Sequence, residues 1–512
     1  MVAERLPIVI LGGGTAGWMT AAALGVHLPP ERFKVTLLES DEIGTVGVGE
    51  ATLPHLRTFN SWLGLDEARF MRETGATFKL GIEFRRWNRA LDSYIHPFGA
   101  FGEPWAGIEF QHHWMRLRAS SRPVRPIEEY SFSIACARGG FFDLPSQDPR
   151  SPRSTYSYAY HLDASLYAAF LRRFAESRGV IRTEGKVKSV VRDGASGRVT
   201  ELVLESGARL AGSFFIDCSG FRSLLLGGEF GVPWQDWSHW LPCDRAWAVP
   251  CALGAEFTPY TRATAAEGGW MWRNPLQHRV GNGYVYSSRF ISDEHARAAL
   301  VGALESPPLA EPRPLRFRPG KRQRAWESNC VAIGLAGGFL EPLESTAIFL
   351  IQAGVMDLVS LLPDADAPSS DPRLRDEFNR LYDLQYERIR DFLVLHYTAN
   401  DREGEPLWDY VRGMKLPESL EHKIQLFRSR AILPNYQYGL FSRDSWLAVL
   451  LGQGIVPEGY SPLADAVSVD AIEQTLAQFA LDIRLGLDHM PTHAEFIERY
   501  CRAPAERERG SP

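Results

Sequence analysis

The sequence is poor in cysteine and has no pattern that would bind a metal. Its six cysteines are scattered and form no C-x-x-C pair, which argues against a disulfide framework and favours reduced thiols in a cytoplasmic protein. No cluster of His, Cys, Asp and Glu has metal-ligand spacing, so we expect no metal site. The adjacent His112 and His113 would point to opposite faces of a strand.

Neither the charge nor the hydropathy indicates a nucleic acid or a membrane as a partner. The formal net charge is -6 over 512 residues and is spread without long runs of one sign. We find no signal peptide and no apolar run long enough to span a bilayer. With 45% hydrophobic and 23% charged residues, the composition is that of a soluble globular protein.

The strongest motif lies at the N-terminus. Residues 8–11 are apolar and predict a buried parallel strand, and Gly12, Gly14 and Gly17 then fit G-x-G-x-x-G before an apolar helix. The first glycine allows a tight turn, the second lets the backbone approach a pyrophosphate, and the third lets the helix pack on the strand. The order strand, glycines, helix predicts a dinucleotide site.

Glu39 and a later β-meander indicate which dinucleotide is bound. Glu39 ends the next predicted strand, where a carboxylate can accept both hydroxyls of an adenosine ribose. Residues 187–217 predict a β-meander that returns through an apolar strand into Asp-x-x-Gly, which is the layout of two-domain flavoproteins. A second G-x-G-x-x-G is absent, so we see no nicotinamide site that could reduce a flavin within this chain.

Two short stretches carry polar groups that chemistry could use. Lys79 starts an alternating, strand-like stretch at residues 78–84, although lone lysines are usually solvated surface charges. His96 and Phe98 flank a proline, and this rigid turn could present an imidazole and a ring to an aromatic ligand. A packed turn explains the same residues equally simply, so neither stretch decides a function alone.

A tryptophan-rich strand and a predicted hairpin follow. Trp270 and Trp272 lie two residues apart on one predicted strand, so both face the same way and can wall off a passage from water. Ordinary sheet packing accounts for them as well. The Asn282-Gly283 pair between apolar runs predicts a hairpin turn.

Glu344, Ser345 and Thr346 follow a buried strand and a glycine turn. Ser345 and Thr346 open an apolar helix, so free backbone N–H groups lie at the helix start. Such a group of N–H donors can hold a small anion, and Glu344 lies beside it.

The C-terminal part of the chain is predicted to be helical. Asp371 caps a helix over residues 372–397, and more helices follow. Residues 433–441 are aromatic and contain glycine, which suggests a lid over a pocket. We therefore expect a cofactor-binding module at residues 1–360 and an α-helical, substrate-covering module at residues 361–512.

Together these motifs resemble the flavin-dependent halogenases of the tryptophan halogenase type. The similarity rests on the glycine motif at residues 12–17, Lys79 in Phe-Lys-Leu-Gly-Ile-Glu-Phe, Trp270-Met271-Trp272-Arg273-Asn274-Pro275 and Glu344 in Glu-Pro-Leu-Glu-Ser-Thr, and it runs to about residue 350. The family pattern W-x-W-x-I-P has isoleucine where this chain has Asn274. The resemblance implies an α/β fold, with a doubly wound, glutathione-reductase-like FAD-binding domain, a β-sheet substrate region and a C-terminal α-helical domain.

The resemblance also implies a reaction. Non-covalently bound, reduced FAD and O₂ convert chloride or bromide into hypohalous acid, which travels through a tunnel to Lys79. Lys79 hydrogen-bonds this oxidant or forms a haloamine, and Glu344 stabilises the cationic arene and accepts its ring proton. The residues implied for the flavin are Gly12, Gly14, Thr15, Ala16, Gly17, Glu39, Val48, Ala51, Val187, Leu335 and Ile348.

The remaining implied contacts concern the halide, the substrate and the tunnel. The halide would lie near Thr346 and Ala347, and His96 and Phe98 would sandwich an aromatic ring. The implied tunnel residues are Trp270, Trp272, Ser345 and Pro342. Ala347 stands where many relatives have glycine, but its backbone N–H is retained.

The expected substrate is a small electron-rich aromatic, an indole or tryptophan, and the expected partner is a separate flavin reductase. A homodimer is compatible with the sequence, and neither a nucleic acid nor a membrane is expected. Two alternatives stay open. An FAD-dependent aromatic hydroxylase would use the same flavin and O₂ without needing Lys79 and Glu344, and a non-catalytic flavin-binding protein would give no product.

Overall fold

A computed structural model describes residues 5–42, 49–88, 92–254, 257–364, 371–434 and 439–504. Val48, one of the residues implied for the flavin, and residues 435–438 of the predicted lid lie outside these ranges. Every helix within them is too short or too polar to cross a bilayer.

The strands are numbered in chain order. They are β1 (Leu6–Leu11), β2 (Phe33–Glu39), β3 (Gly49–Ala51), β4 (Thr77–Lys79), β5 (Gly81–Arg85), β6 (Ser93–Pro97), β7 (Ala159–Asp163), β8 (Ile181–Glu184), β9 (Val187–Arg192), β10 (Val199–Leu204), β11 (Arg209–Ala211), β12 (Phe214–Asp217), β13 (Trp234–Asp236), β14 (Arg245–Cys251), β15 (Thr261–Ala266), β16 (Gly269–Pro275), β17 (Val280–Tyr286), β18 (Arg313–Arg316), β19 (Gly320–Arg322), β20 (Trp326–Glu327), β21 (Cys330–Ala332) and β22 (Gly338–Phe339).

The α-helices are numbered in the same way. They are α1 (Thr15–His27), α2 (His55–Trp62), α3 (Glu67–Thr74), α4 (Phe110–Ala119), α5 (Phe132–Gly139), α6 (Ala164–Ser177), α7 (Asp293–Gly302), α8 (Ala347–Leu361), α9 (Pro372–Thr398), α10 (Pro406–Gly413), α11 (Glu418–Arg430), α12 (Arg443–Gly452), α13 (Val469–Leu487) and α14 (His493–Tyr500).

A six-stranded sheet forms the predicted dinucleotide-binding core. Its order is β20-β21-β12-β1-β2-β8, and β1 pairs in parallel with both β2 and β12. The turn after β1 requires glycine, because Gly12 has φ +114° and a Cβ there would lie 2.3 Å from the Cys218 backbone oxygen. A Cβ at Gly17 would lie 1.8 Å from the Gly12 oxygen, so α1 can pack on β1 only without a side chain there.

The predicted meander and the predicted C-terminal helix are both present. Strands β9, β10 and β11 form an antiparallel sheet, after which β12 returns to the large sheet. Asp371 caps α9, and its side chain accepts a hydrogen bond from the Arg373 N–H. These elements confirm the mixed α/β fold with a helical C-terminal region.

The seven-stranded sheet corrects one prediction. Strands β16 and β17 do form a hairpin, but its turn lies at residues 276–279, and Asn282 and Gly283 lie inside β17. Gly283 is explained by packing, because a Cβ there would lie 1.9 Å from the Trp272 ring. Gly281 approaches the Gly49 backbone in the same way, so these glycines allow close contact between neighbours and not a turn.

The strand-like stretch that begins at Phe78 is two strands with a break at Leu80. Strand β4 belongs to the sheet β3-β7-β4, whereas β5 belongs to the seven-stranded sheet. The Leu80 N–H donates to the Pro259 oxygen, and the Leu80 oxygen accepts from the Phe98 N–H, so the chain changes sheet at this residue. Lys79 therefore ends its strand directly before the break.

His112 and His113 do not lie on a strand. Both are in α4, where His113 stacks on Trp105 with ring centroids 3.6 Å apart. Within the described ranges, no group of three or more His, Cys, Asp or Glu residues is arranged to hold a metal ion.

Candidate active site

Lys79 is fully buried at the end of β4. Its Nζ donates to the Thr52 backbone oxygen at 3.0 Å and to the Ser345 Oγ at 2.8 Å, and it lies 5.0 Å from the centre of the Phe98 ring. Burial lowers the pKa of the Lys79 ammonium to about 7, against an opposing effect of the Glu344 carboxylate. Near neutral pH a substantial fraction of Lys79 is therefore a free, nucleophilic amine.

This lowered pKa predicts a pH-dependent stability difference. Because the pKa falls from 10.5 to about 7 on folding, the buried ammonium destabilises the folded state below pH 7, and this effect disappears by about pH 10.5. We expect the melting temperature of Lys79→Met, relative to that of the original protein, to rise as the pH is lowered from 10 to 7. Thermal melts across this range measure it, and a difference independent of pH would contradict the assignment.

Glu344 is also fully buried, and two imidazoles contact its carboxylate. The His96 Nδ1 donates to it at 2.9 Å, and the His396 Nε2 lies 2.8 Å from Oε1. Burial would raise the pKa of Glu344, but the contacts with His96 and His396 outweigh burial and lower it to about 2. Glu344 is therefore an ionised base held in a water-poor environment.

The structure joins these residues into one continuous cluster. The Phe98 ring lies under the Lys79 ammonium and packs edge-on against His96, with centroids 6.1 Å apart. His96 in turn holds Glu344, and the following residue, Ser345, accepts from Lys79. The end of β4, the end of β6 with the residue after it, and the turn before α8 thus bring the four predicted side chains together from three distant segments.

His396, Phe392 and Phe441 complete this cluster. His396 and Phe392 were not predicted as site residues from the sequence, whereas Phe441 belongs to the segment predicted to be a lid. His396 and Phe392 lie four residues apart on α9, and the His396 Nδ1 lies 2.8 Å from the Phe392 backbone oxygen. Phe441 stacks on Phe392 at 3.8 Å and lies 6.1 Å from His96. The spacing of His396 and Phe392 was visible in the sequence, but it is equally typical of an ordinary helix core.

At the start of α8, where the halide site was predicted, a buried hydroxyl has no hydrogen-bond partner among the described residues. This hydroxyl is the Thr346 Oγ1. Ala347 is the first residue of α8, so its N–H belongs to the free donors of that terminus. An anion accepting from both groups would fit this arrangement.

The glycine turn fits a pyrophosphate. Gly14 precedes α1, and a Cβ built on it meets no atom within 4 Å, so the turn is open on the side where a phosphate would lie. Glu39 ends β2 beside this turn, and its carboxylate accepts from the Trp18 Nε1 at 3.3 Å and from the Arg182 Nε at 2.5 Å. The Glu39 carboxylate is therefore held next to the turn, where it could accept ribose hydroxyls; this contact stays a prediction.

The other residues predicted to contact the flavin lie on separate elements. Thr15 and Ala16 begin α1, Ala51 ends β3 and Val187 begins β9. Leu335 lies in a short turn after β21, and Ile348 is the second residue of α8. Their contact with a flavin stays a prediction.

The predicted tunnel residues lie in two places, on β16 and in the turn before α8. Trp270 and Trp272 share one buried face of β16, with ring centroids 6.2 Å apart, as their spacing predicted. Pro342 begins the turn that carries Glu344, and Ser345 contacts Lys79. A passage joining them stays a prediction.

Comparison with known proteins identifies the family. The sequence profile described as tryptophan halogenase matches residues 7–469. The tryptophan 6-halogenase SttH of Streptomyces toxytricini is 35% identical, with 96% of this chain and 97% of that protein covered.

Solved structures agree with the profile. Xcc4156, a flavin-dependent halogenase from Xanthomonas campestris, superposes with a TM-score of 0.93 at 46% identity, covering 98% of this chain and 99% of that chain. BrvH, a flavin-dependent halogenase from Brevundimonas sp. BAL3, gives a TM-score of 0.92 at 43% identity, covering 97% and 99%. The fold, the profile and the clustered motif residues lead to one conclusion: this chain belongs to the tryptophan halogenase family of flavin-dependent halogenases.

Proposed function

We propose that this protein halogenates an electron-rich aromatic compound, an indole or tryptophan, with hypohalous acid made from O₂ and chloride or bromide. The observation that carries the proposal is the buried cluster of Lys79, Phe98, His96 and Glu344. It sets an amine and a carboxylate against two rings, out of contact with bulk water. The relative SttH is named a tryptophan 6-halogenase, which supports an indole ring as the substrate.

The flavin would be FAD, bound without a covalent link. Gly12, Gly14 and Gly17 would hold its pyrophosphate at the start of α1, and Glu39 would accept from its ribose. When bound, reduced FAD supplies with O₂ the oxidising power that turns a halide into hypohalous acid. Thr346 and Ala347 would hold the halide by the Oγ1 and the backbone N–H at the start of α8.

Lys79 directs the oxidant to the substrate. With a pKa of about 7, the side chain offers two forms. The ammonium can donate to the oxygen of hypohalous acid, and the amine can take up the halogen as the oxygen–halogen bond breaks, with the hydroxyl and one amine proton leaving as water. Ser345 and the Thr52 oxygen fix the nitrogen in place. Both forms lead to the same transfer of halogen toward a ring carbon.

Glu344 completes the substitution on the ring. Its carboxylate stabilises the cationic arene that forms when the halogen adds, and then accepts the proton from the substituted carbon. His96 holds the carboxylate through Nδ1. The His96 and Phe98 rings are nearly perpendicular, at 82°, and pack edge-on, so they would border the arene and not sandwich it as the sequence suggested. Phe441, whose ring centre lies 6.1 Å from that of His96, would border the arene as well.

The proposed partners follow from the same chemistry. A separate flavin reductase would supply reduced FAD, because the chain has no second glycine-rich nucleotide motif. The substrate would be a small aromatic molecule, and a homodimer stays compatible with the sequence. A cytoplasmic location, with neither a membrane nor a nucleic acid as a partner, stays a prediction from the sequence.

The proposal predicts a strictly halide-dependent product. We expect protein, FAD, a flavin reductase, O₂ and bromide or chloride to give halogenated products from a panel of indoles, detected by mass. Without halide, we expect no product from the same mixture. A hydroxylated product without halide would support an aromatic hydroxylase instead, and the absence of any product under all conditions would support a non-catalytic flavin-binding protein.

A further inference from the structure

The strand that carries Lys79 has a free edge. In the described sheet β3-β7-β4, β4 pairs only with β7, through Thr77 with His161, Phe78 with Tyr160 and Lys79 with Ala159. The Phe78 N–H points away from β7. A buried backbone N–H without a hydrogen-bond acceptor is costly, so the Phe78 N–H needs an acceptor outside the sheet.

That partner is His493, at the start of α14 and 415 positions further along the chain. The Phe78 N–H donates to the His493 Nε2 at 3.2 Å. The His493 Nδ1 lies 3.4 Å from the Phe257 backbone oxygen, and the imidazole stacks on the Phe257 ring at 4.9 Å. An Nδ1–H that donates to Phe257 leaves Nε2 free to accept from Phe78.

The imidazole is kept neutral, as this geometry requires. His493 is buried, and burial lowers its pKa to about 4, against a small raising effect of the Phe257 contact. A protonated ring could not accept at Nε2. The tautomer and the charge state of His493 therefore match the contact with Phe78.

Helix α14 is itself firmly anchored. Thr492 and Glu495 form a capping box at its start, and the His493 N–H donates to the Gly140 oxygen. Phe496 packs edge-on against Phe78, with centroids 5.5 Å apart. The C-terminal helix thus fixes Phe78 through its side chain and its backbone together.

We propose that His493 is a positioning residue for Lys79. By holding the Phe78 N–H, it fixes the end of β4, so that Nζ reaches both the Thr52 oxygen and the Ser345 Oγ. The role of His493 in catalysis rests on the proposed halogenation. Its contact with the Phe78 N–H is independent of that proposal. Without the contact, β4 can shift, and Lys79 receives the oxidant less efficiently.

Paired variants of His493 test the proposal. His493→Gln can place an amide oxygen where Nε2 lies, while His493→Leu has no acceptor and His493→Asn is too short to reach Phe78. Hydrogen exchange of the Phe78 amide, read from overlapping peptides, reports the contact directly. We expect exchange on the order of 10-fold faster in the Leu and Asn variants, and close to that of the original protein in the Gln variant.

The second readout is the fraction of consumed O₂ that appears as halogenated product. We expect this fraction to fall by up to about 100-fold in the Leu and Asn variants and to be restored largely by Gln, while total O₂ consumption stays constant. His113→Leu is the matched control. It removes another buried, stacked imidazole, on α4, and should leave both readouts unchanged.

The two readouts distinguish failure of the positioning role of His493 from failure of the proposed halogenation. Hydrogen exchange does not depend on halogenation, so it tests the contact even in a protein that forms no halogenated product. Unchanged Phe78 exchange in His493→Asn and His493→Leu would overturn the positioning role. Where the original protein forms halogenated product, equal product fractions in the Gln and Asn variants would overturn it as well. If His493→Leu does not fold, the comparison of His493→Gln with His493→Asn tests the positioning role by itself.

Discussion

Replacing Lys79 with alanine should remove halogenated product while O₂ is still consumed. We expect product formation to fall on the order of 10²–10³-fold, because the oxidant loses the buried amine that would hydrogen-bond it in the cluster of Lys79, Phe98, His96 and Glu344. The turn at Gly12 and Gly14, which we propose holds the flavin, is untouched, so reduced FAD should still react. Mass detection of the product, with O₂ consumption and released peroxide or hypohalous acid measured in parallel, checks this result.

A second buried lysine provides the control that distinguishes the chemical role of Lys79 from the mere loss of a buried charge. Lys321 is also buried, and its Nζ lies 2.5 Å from Asp383, outside the Lys79 cluster. We expect Lys321→Ala to lower stability but to retain the ratio of product to consumed O₂. Undiminished halogenation by Lys79→Ala would refute the role given to Lys79.

The residues of the site could be predicted from short motifs, but their arrangement could not. Lys79, His96 and Glu344 each looked like ordinary strand or turn residues, and resemblance to a family raised Lys79 and Glu344 from weak candidates to strong ones. Their meeting depends on the change of sheet at Leu80 and on the turn before α8, which are set by contacts between distant segments. His396 was missed because a histidine on the buried face of a helix has no distinguishing local pattern.

For the fold as well, patterns of nearby residues predict individual elements but not contacts between distant segments. Strand β1, the glycine turn and α1 were predicted correctly, because hydrophobic runs and glycine spacing act over a few residues. The Asn282-Gly283 pair was misread as a turn, because a glycine required by a neighbouring ring looks the same in sequence as one required by the backbone. The contact of His493 with Phe78 likewise joins segments that no local pattern connects.

Protonation states are set by environment as well. Glu341 and Glu344 lie three residues apart, and both are fully buried. Burial raises the pKa of Glu341 to about 8, whereas the two imidazoles bring that of Glu344 down to about 2. At neutral pH, one carboxyl is therefore mainly protonated and the other ionised, and this difference provides an internal control.

Replacing Glu344 with glutamine should leave oxidant formation intact and block substitution of the ring. The amide keeps the shape of the side chain and can still accept a hydrogen bond from His96, but it carries no negative charge and takes up no proton. We expect product to fall by about 10²–10⁴-fold, the usual contribution of a positioned base. Measured hypohalous acid release, with FAD and halide present, should stay close to that of the original protein.

Glu341→Gln is the matched control for this change. Since Glu341 is mainly protonated near pH 7, an amide there preserves the charge and nearly the volume of the side chain. Product formation should therefore change little, although the same turn and the same degree of burial are involved. A loss of equal size in the two variants would show that the turn before α8 responds to any substitution, and the role of Glu344 as the base would then be wrong. A large loss confined to Glu344→Gln assigns the effect to the negative charge that His96 and His396 maintain.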